Sequence, residues 1–210
     1  MVVGNKLGIS KRNTTQRIYN KKEMSDFTTY VNKVSQLSKE AEEDLLPRLI
    51  PKSFRKGQVI NTEGQICKNL FFIDKGLVKH YYHHKDRVFI LRFFSETNFF
   101  TVLDSFTNQT PSQFITIALE DTETSSIDYA DFDQLCRRHH TFETFSRKLF
   151  TMAAVVNLKR IKEMFDADAT ELYKEFINEN PHLLQRISLG DTASYLGISQ
   201  VTLSRIRSKK

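Results

Sequence analysis

Residues 188–210 read SLGDTASYLGISQVTLSRIRSKK. Ser188 and Asp191 stand at the spacing of a helix start, and Ala193, Leu196 and Ile198 place apolar groups along one side of that helix and its end. Gly197 sits where the chain must bend sharply, and Ser199 caps a second helix that buries Leu203 and Ile206. The pattern is a small alanine, a glycine four residues later, and apolar residues six and nine positions beyond that glycine. This is the spacing of a helix-turn-helix, in which two helices cross closely at the alanine. Gln200, Val201, Ser204, Arg205 and Arg207 then look outward.

Charge sharpens this reading. Residues 186–210 carry five basic side chains (Arg186, Arg205, Arg207, Lys209, Lys210) against one acid, Asp191. The helix dipole favours cations at a helix C-terminus by about a few tenths of a kcal/mol, which accounts for two of them. It does not account for Arg205 in mid-helix, flanked by the small polar Thr202 and Ser204. Such a neighbourhood lets a guanidinium reach guanine O6 and N7 without obstruction, so double-stranded DNA is the expected partner. The whole chain agrees in sign, with 31 basic and 25 acidic residues among 210 and a net charge of +6.

Composition narrows the class. A 40% hydrophobic, 27% charged chain is an ordinary globular one, and no run approaches the roughly 20 apolar residues of a membrane span. No membrane partner is expected. The two cysteines, Cys67 and Cys136, lie far apart without a CxxC or a histidine at ligand spacing, so neither a disulfide framework nor a structural zinc site is indicated and reduced thiols in the cytoplasm are expected. His80, His83 and His84 form a cluster, but in a strand His80 and His84 share one face and His83 points away, so a solvated strand face is expected and no metal site. No P-loop, GxGxxG or paired nucleophile and base appears. Neither an enzyme nor a cofactor is indicated.

The chain divides by pattern. Residues 1–23 carry six basic side chains against Glu23 and read as a solvated basic extension; Met24 is an alternative start. Two short amphipathic helices lead in, through Phe27, Val31 and Leu37 and then Leu45 and Leu49. Between Phe54 and Asp128 come short runs such as LFFID, LVKHYYHH and RVFILRFF, separated at Gly57, Gly64 and Gly76. These read as the strands of an antiparallel sandwich or barrel, its core filled by Phe72, Phe89 and Phe94. Residues 24–139 thus form a strand-rich domain with N-terminal helices, and the fold class is α+β.

Residues 140–167 form one long helix with two apolar stripes. Phe142, Phe145, Leu149, Met152 and Val156 make a heptad seam assigned to a homodimer contact; Phe150, Ala154, Leu158, Ile161 and Phe165 run down another face. One face can meet the strand domain and the other a second copy, the alternative being one buried helix in a monomer. Asp168, with Glu171 three residues on, opens a third, all-helical segment at 168–210 after a hinge near 166–168.

Taken together, RKGQVINTEGQ, LFFIDKGLVK, ALEDTETSSID and DTASYLGISQVTLSRIR resemble the Crp/Fnr family of bacterial transcription regulators from about Phe54 onward. The resemblance implies that residues 24–139 are an antiparallel, jelly-roll-like β-roll sensor domain of the cyclic-nucleotide-binding type, followed by a dimerisation helix and a DNA-binding helix-turn-helix, with RNA polymerase as a partner. It places Gln200, Val201 and Arg205 against base edges and Ser199 and Thr202 against phosphate, with Ser204, Arg207 and Lys209 completing the DNA-binding surface. Val201 departs from the glutamate frequent in the family and can contact a thymine methyl but not cytosine N4. In the sensor, the positions that supply an arginine to the cyclic phosphate and a glutamate to the ribose fall on Ser112 and on Val102 or Thr101. Without those charges no cAMP response is expected. The effector pocket is expected around Phe99, Phe100, Thr101, Val102, Ser112 and Gln113, its ligand unidentified; Phe106 and Phe114 add bulk there, and a filled core is the alternative. A second overall reading also stays open: a roll that senses or docks proteins and does not bind DNA.

Overall fold

The computed structural model describes residues 21–208. Two helices, α1 (Lys21–Val34) and α2 (Lys39–Leu45), precede the strands β1 (Ile50–Phe54), β2 (Val59–Asn61), β3 (Asn69–Lys75), β4 (Val78–His84), β5 (Arg87–Phe94) and β6 (Phe99–Phe100). The short α3 (Leu103–Asn108) leads to β7 (Ile115–Ala118) and β8 (Thr122–Asp128). Five α-helices complete the described chain: α4 (Tyr129–Arg138), α5 (His140–Asp166), α6 (Ala169–Glu179), α7 (Leu189–Leu196) and α8 (Gln200–Ser208). The expected basic extension at 1–23 lies almost wholly outside the described residues, as do Lys209 and Lys210.

Leu70, Phe71, Phe72 and Ile73 are apolar in succession, so a strand there must be covered on both faces. That requirement builds the core of the molecule. The strands form two antiparallel sheets, ordered β1-β8-β3-β6 and β2-β7-β4-β5. Phe71 and Ile73 point between the sheets with Val78, Phe94 and Phe100, and the Phe71 and Phe100 rings stack at 4.8 Å. Leu70 and Phe72 point the other way, against Phe27, Val31, Leu45 and Leu135 of the helices that cover the first sheet. Between β3 and β4 the chain leaves one sheet for the other at Gly76, whose φ is +111° and where a Cβ would lie 2.5 Å from Thr122 Oγ1. Only glycine makes that crossing.

A third cluster seats the C-terminal helices on the roll. Leu77, Ile90 and Phe93 pack with Leu172, Tyr173, Phe176, Leu183, Leu196 and Leu203, and Phe93 meets the Tyr195 ring at 5.5 Å. Ion pairs frame this contact. Arg186 forks onto Glu96 (2.8 and 2.9 Å) and Glu120 (3.0 and 2.7 Å), and Lys79 pairs with Asp191 at 2.6 Å. Locally, Asp168 and Glu171 form the reciprocal capping box that opens α6, whereas Pro181 begins only a 3-10 turn, with no side-chain cap from Asn180.

Two expectations need correction. Phe142 and Phe145 do not form a seam for a second copy: both are buried within the protomer, against Phe132, Phe99 and each other. Burying a phenylalanine stabilises by about 2 kcal/mol, and the nearest apolar surface is the protomer's own. The free part of α5, a helix about 40 Å long, begins after Phe150 and exposes Met152 and Val156 together with the second stripe, where Leu158 is 66% and Phe165 86% accessible. His80 is likewise not on a solvated face. The pairing of β4 with β5 shifts register between His80 and Tyr81, so strict alternation fails there and the His80 ring turns inward at 8% accessibility.

Candidate DNA interface and effector cavity

The C-terminal helix pair is built from local signals. Ser188 Oγ accepts the Asp191 N–H at 2.9 Å and so caps α7, while Gly197 ends it in the left-handed region at φ +71°. Ser199 Oγ then accepts the Thr202 N–H at 3.0 Å and starts α8. Ala193 and Leu203 are buried between the helices. The opposite side of α8 faces solvent: Gln200, Val201, Thr202, Ser204, Arg205 and Arg207 are all exposed, Val201 to 61%. Gln200 Nε2 lies back toward Gly190 of α7, 2.7 Å from where a Cβ would stand.

The cations near this surface differ sharply. Arg186, counted in sequence with the unbalanced charges, is neutralised inside the molecule by two glutamates. Among the described residues no acid pairs with Arg205 or Arg207. Burial pushes Glu96 upward, but hydrogen bonds from Arg186 and from the Gly76 and its own N–H outweigh it and hold the carboxyl at about 2. These helices are thus clamped to the roll by one set of charges and present another outward.

A second feature is a cavity of about 740 Å³ between β4, β5, β6, α3 and the middle of α5. Of the residues expected there, Phe99, Phe100 and Thr101 line it. Val102, Ser112 and Gln113 do not: Val102 is buried in the packing, Gln113 faces solvent, and the Ser112 hydroxyl is occupied by the Phe114 backbone at 2.9 Å. The Thr101 hydroxyl donates to the Asn69 carbonyl at 2.9 Å. Phe106 is core, edge-on to Tyr129 and Phe132, and so does not fill the cavity.

Sequence reasoning missed His80, Arg92, Asp104 and Asn157, which supply polar groups to the lining. His80 Nδ1 shares a 2.9 Å hydrogen bond with Thr116 Oγ1, and burial drops its pKa to about 4, so the ring is neutral near pH 7. Arg92 is half-buried with its guanidinium 5.2 Å from the Phe94 ring, and burial lowers its pKa. Its place in RVFILRFF, a cation within an otherwise apolar strand, was the signal available. Among the described residues no three His, Cys, Asp or Glu side chains gather as a metal site.

Comparison with known proteins places the fold. Residues 51–139 match the family model of the cyclic nucleotide-binding domain. No curated protein sequence matches the chain. Among solved structures, FixK2 from Bradyrhizobium japonicum is similar with a TM-score of 0.65 and 21% identity, over 77% of this chain and 83% of that one. A Eubacterium rectale protein assigned to the Crp/Fnr transcriptional regulators gives 0.66 at 14% identity, over 81% and 82%. The c-di-GMP-responsive global regulator CLP of Xanthomonas campestris gives 0.62 at 16%, over 82% and 91%. Residues 51–139 therefore match the cyclic nucleotide-binding domain family, and the chain shares the fold of Crp/Fnr transcription regulators that its sequence resembles.

Proposed function

We propose that this protein is a sequence-specific, DNA-binding transcription regulator that acts as a homodimer in the cytoplasm, has no catalytic activity and does not respond to cAMP. The observation that carries the reading is the outer side of α8, where Arg205 and Arg207 stand exposed and without acids beside the short polar side chains of Thr202 and Ser204. A helix of that composition fits a major groove as a helix-turn-helix reading helix, with Ser199 and Thr202 at phosphate and Gln200, Val201 and Arg205 at base edges. The exposed stripe of Ala154, Leu158, Ile161 and Phe165 supports the dimer: large apolar side chains so open to water are stabilised by a second copy of α5. The cavity is the effector site of this reading. Ser112, where the resemblance expects the phosphate-binding arginine, lies outside the lining with its hydroxyl on the Phe114 carbonyl, and the Thr101 hydroxyl is turned to the Asn69 carbonyl, so the family's contacts to a cyclic nucleotide are lacking and calorimetry with cAMP and cGMP is expected to show no heat.

The deciding experiment is a fluorescence anisotropy titration of the purified chain with labelled random duplex at low salt, followed by selection from a random pool. Binding that weakens steeply with salt, and selected sites with two half-sites about 34 Å apart, are expected. A folded chain that binds no duplex defeats the reading. That outcome would favour the docking module, for which the seating of α6–α8 on the roll through Arg186 is the supporting observation.

A further inference from the structure

The arginine in the cavity is out of keeping with the rest of the molecule. Each other arginine shielded from solvent has a carboxylate: Arg48 has Asp44 and Asp131, Arg160 has Glu163, and Arg186 has Glu96 and Glu120. Arg92 has none among the described residues. Its guanidinium lies 5.2 Å from the Phe94 ring, with the phenol of Tyr195 the one titratable group acting on it, and it shares the cavity lining with Leu91, Phe99, Phe100, Phe114 and Phe150. Asp104, the one acid in the lining, is exposed at the rim and makes no ion pair with it. A guanidinium stays charged at any physiological pH, so leaving it half-desolvated without a counter-ion is costly.

Size and chemistry then define the missing partner. A cavity of about 740 Å³ walled by phenylalanines takes an organic molecule of moderate size and excludes a bare inorganic ion, which such walls could not solvate. The charge must be met at Arg92, the one permanent cation in the lining, to which Asn157 of α5 and Thr101 add only neutral polar groups.

We propose that the cavity binds an aromatic or similarly apolar carboxylate or sulfonate, not a nucleotide, with Arg92 as its counter-ion and the phenylalanine wall holding its body. The proposal rests on the effector reading of the cavity but not on DNA binding. A planar carboxylate, or two of the three oxygens of a tetrahedral sulfonate, can take two hydrogen bonds from the guanidinium fork, while the rings of the wall pack against the ligand's apolar part.

The test compares two fluorescent probes with nearly the same skeleton on the full chain: 1-anilinonaphthalene-8-sulfonate, an anion, and N-phenyl-1-naphthylamine, which is uncharged. Wild type is expected to bind the sulfonate at one saturable site per chain. Arg92→Gln should weaken the sulfonate by about tenfold or more, since a charged hydrogen-bond donor is lost, and leave the neutral probe within about twofold. Retained binding of the neutral probe also shows that the cavity has kept its shape. Arg92→Lys should keep most of the sulfonate affinity, and Ala153→Phe, which fills the cavity from α5, should abolish both probes. Unchanged sulfonate affinity in Arg92→Gln overturns the proposal, as does unchanged binding in Ala153→Phe, which would put the probe elsewhere, for instance on the exposed stripe of α5. Loss of both probes in Arg92→Gln and Arg92→Lys alike would mean that Arg92 only props the cavity open, and overturns it too. None of these readouts involves DNA, so failure here leaves the DNA-binding reading standing, and failure of the duplex titration leaves this one.

Discussion

Arg186 and Arg205 are nineteen positions apart in the same basic segment, yet they occupy opposite situations. Arg186 is forked between Glu96 and Glu120 at the contact between roll and C-terminal helices, whereas Arg205 stands in solvent on α8 with no acid paired to it among the described residues. A cation whose charge is met inside the fold contributes to stability. One whose charge is met by nothing is available to another molecule. The same distinction separates Arg48, held by Asp44 and Asp131, from Arg92 in the cavity, and it turns a count of positive charges into an assignment of roles.

The largest effect expected from this contrast is on folding. Arg186→Ala leaves two glutamates facing each other without a cation and is expected to cost about 3 kcal/mol in denaturant unfolding, a figure reduced for partial exposure. Hydrogen exchange in α6–α8 should rise with it. A loss below about 0.5 kcal/mol would dissolve the distinction. The pair also has an acid signature. Glu96 is held at about 2 in the folded chain against 4.5 unfolded, so its contribution is complete above pH 4.5 and is lost as pH falls toward 2.

His80 tests a basic group that the fold keeps neutral. Its pKa of about 4 lies below the unfolded 6.5, so below pH 6.5 the unfolded chain takes up a proton that the folded chain refuses. Stability is therefore expected to fall by about 3 kcal/mol between pH 6.5 and 4, and His80→Gln should flatten that slope. A variant with an unchanged slope would assign the acid sensitivity to other groups.

Smaller effects belong to the outward cations. Arg205→Ala should leave the unfolding midpoint unchanged but weaken a selected duplex by about 1 to 2 kcal/mol and relax preference at one base pair. Equal losses on selected and random duplex would remove base readout from Arg205. Lys209→Ala, at a position outside the described residues, should cost less than about 1 kcal/mol, weaken all duplexes alike and lower the salt slope by about one.

How much of this was legible depended on distance along the chain. Caps and turns rest on hydrogen bonds spanning two to four residues, so Ser188, Ser199, Asp168 with Glu171 and the left-handed Gly197 could be read directly. The alternating and continuous apolar runs announced strands for the same reason, since a pleat of period two is a local property. The exposed side of α8 came from helical spacing alone. His80 did not obey its strand, because a register shift in pairing with β5 breaks the alternation, and the pairing is set by a partner that the local pattern does not contain. Phe142 and Phe145 carried a seam's spacing, but which surface a stripe covers depends on what lies within reach, and here it was the helices and strands of the same protomer.

By itself, then, the sequence determined the class of fold, the ends of the helices and which face of α8 looks outward, because periodicity and capping act over a few residues. Only the tertiary structure decided which cations are answered and which are not. Arg186 meets Glu96 ninety residues away, while Arg92 meets no acid among the described residues, and Coulombic partnership is a matter of position in space.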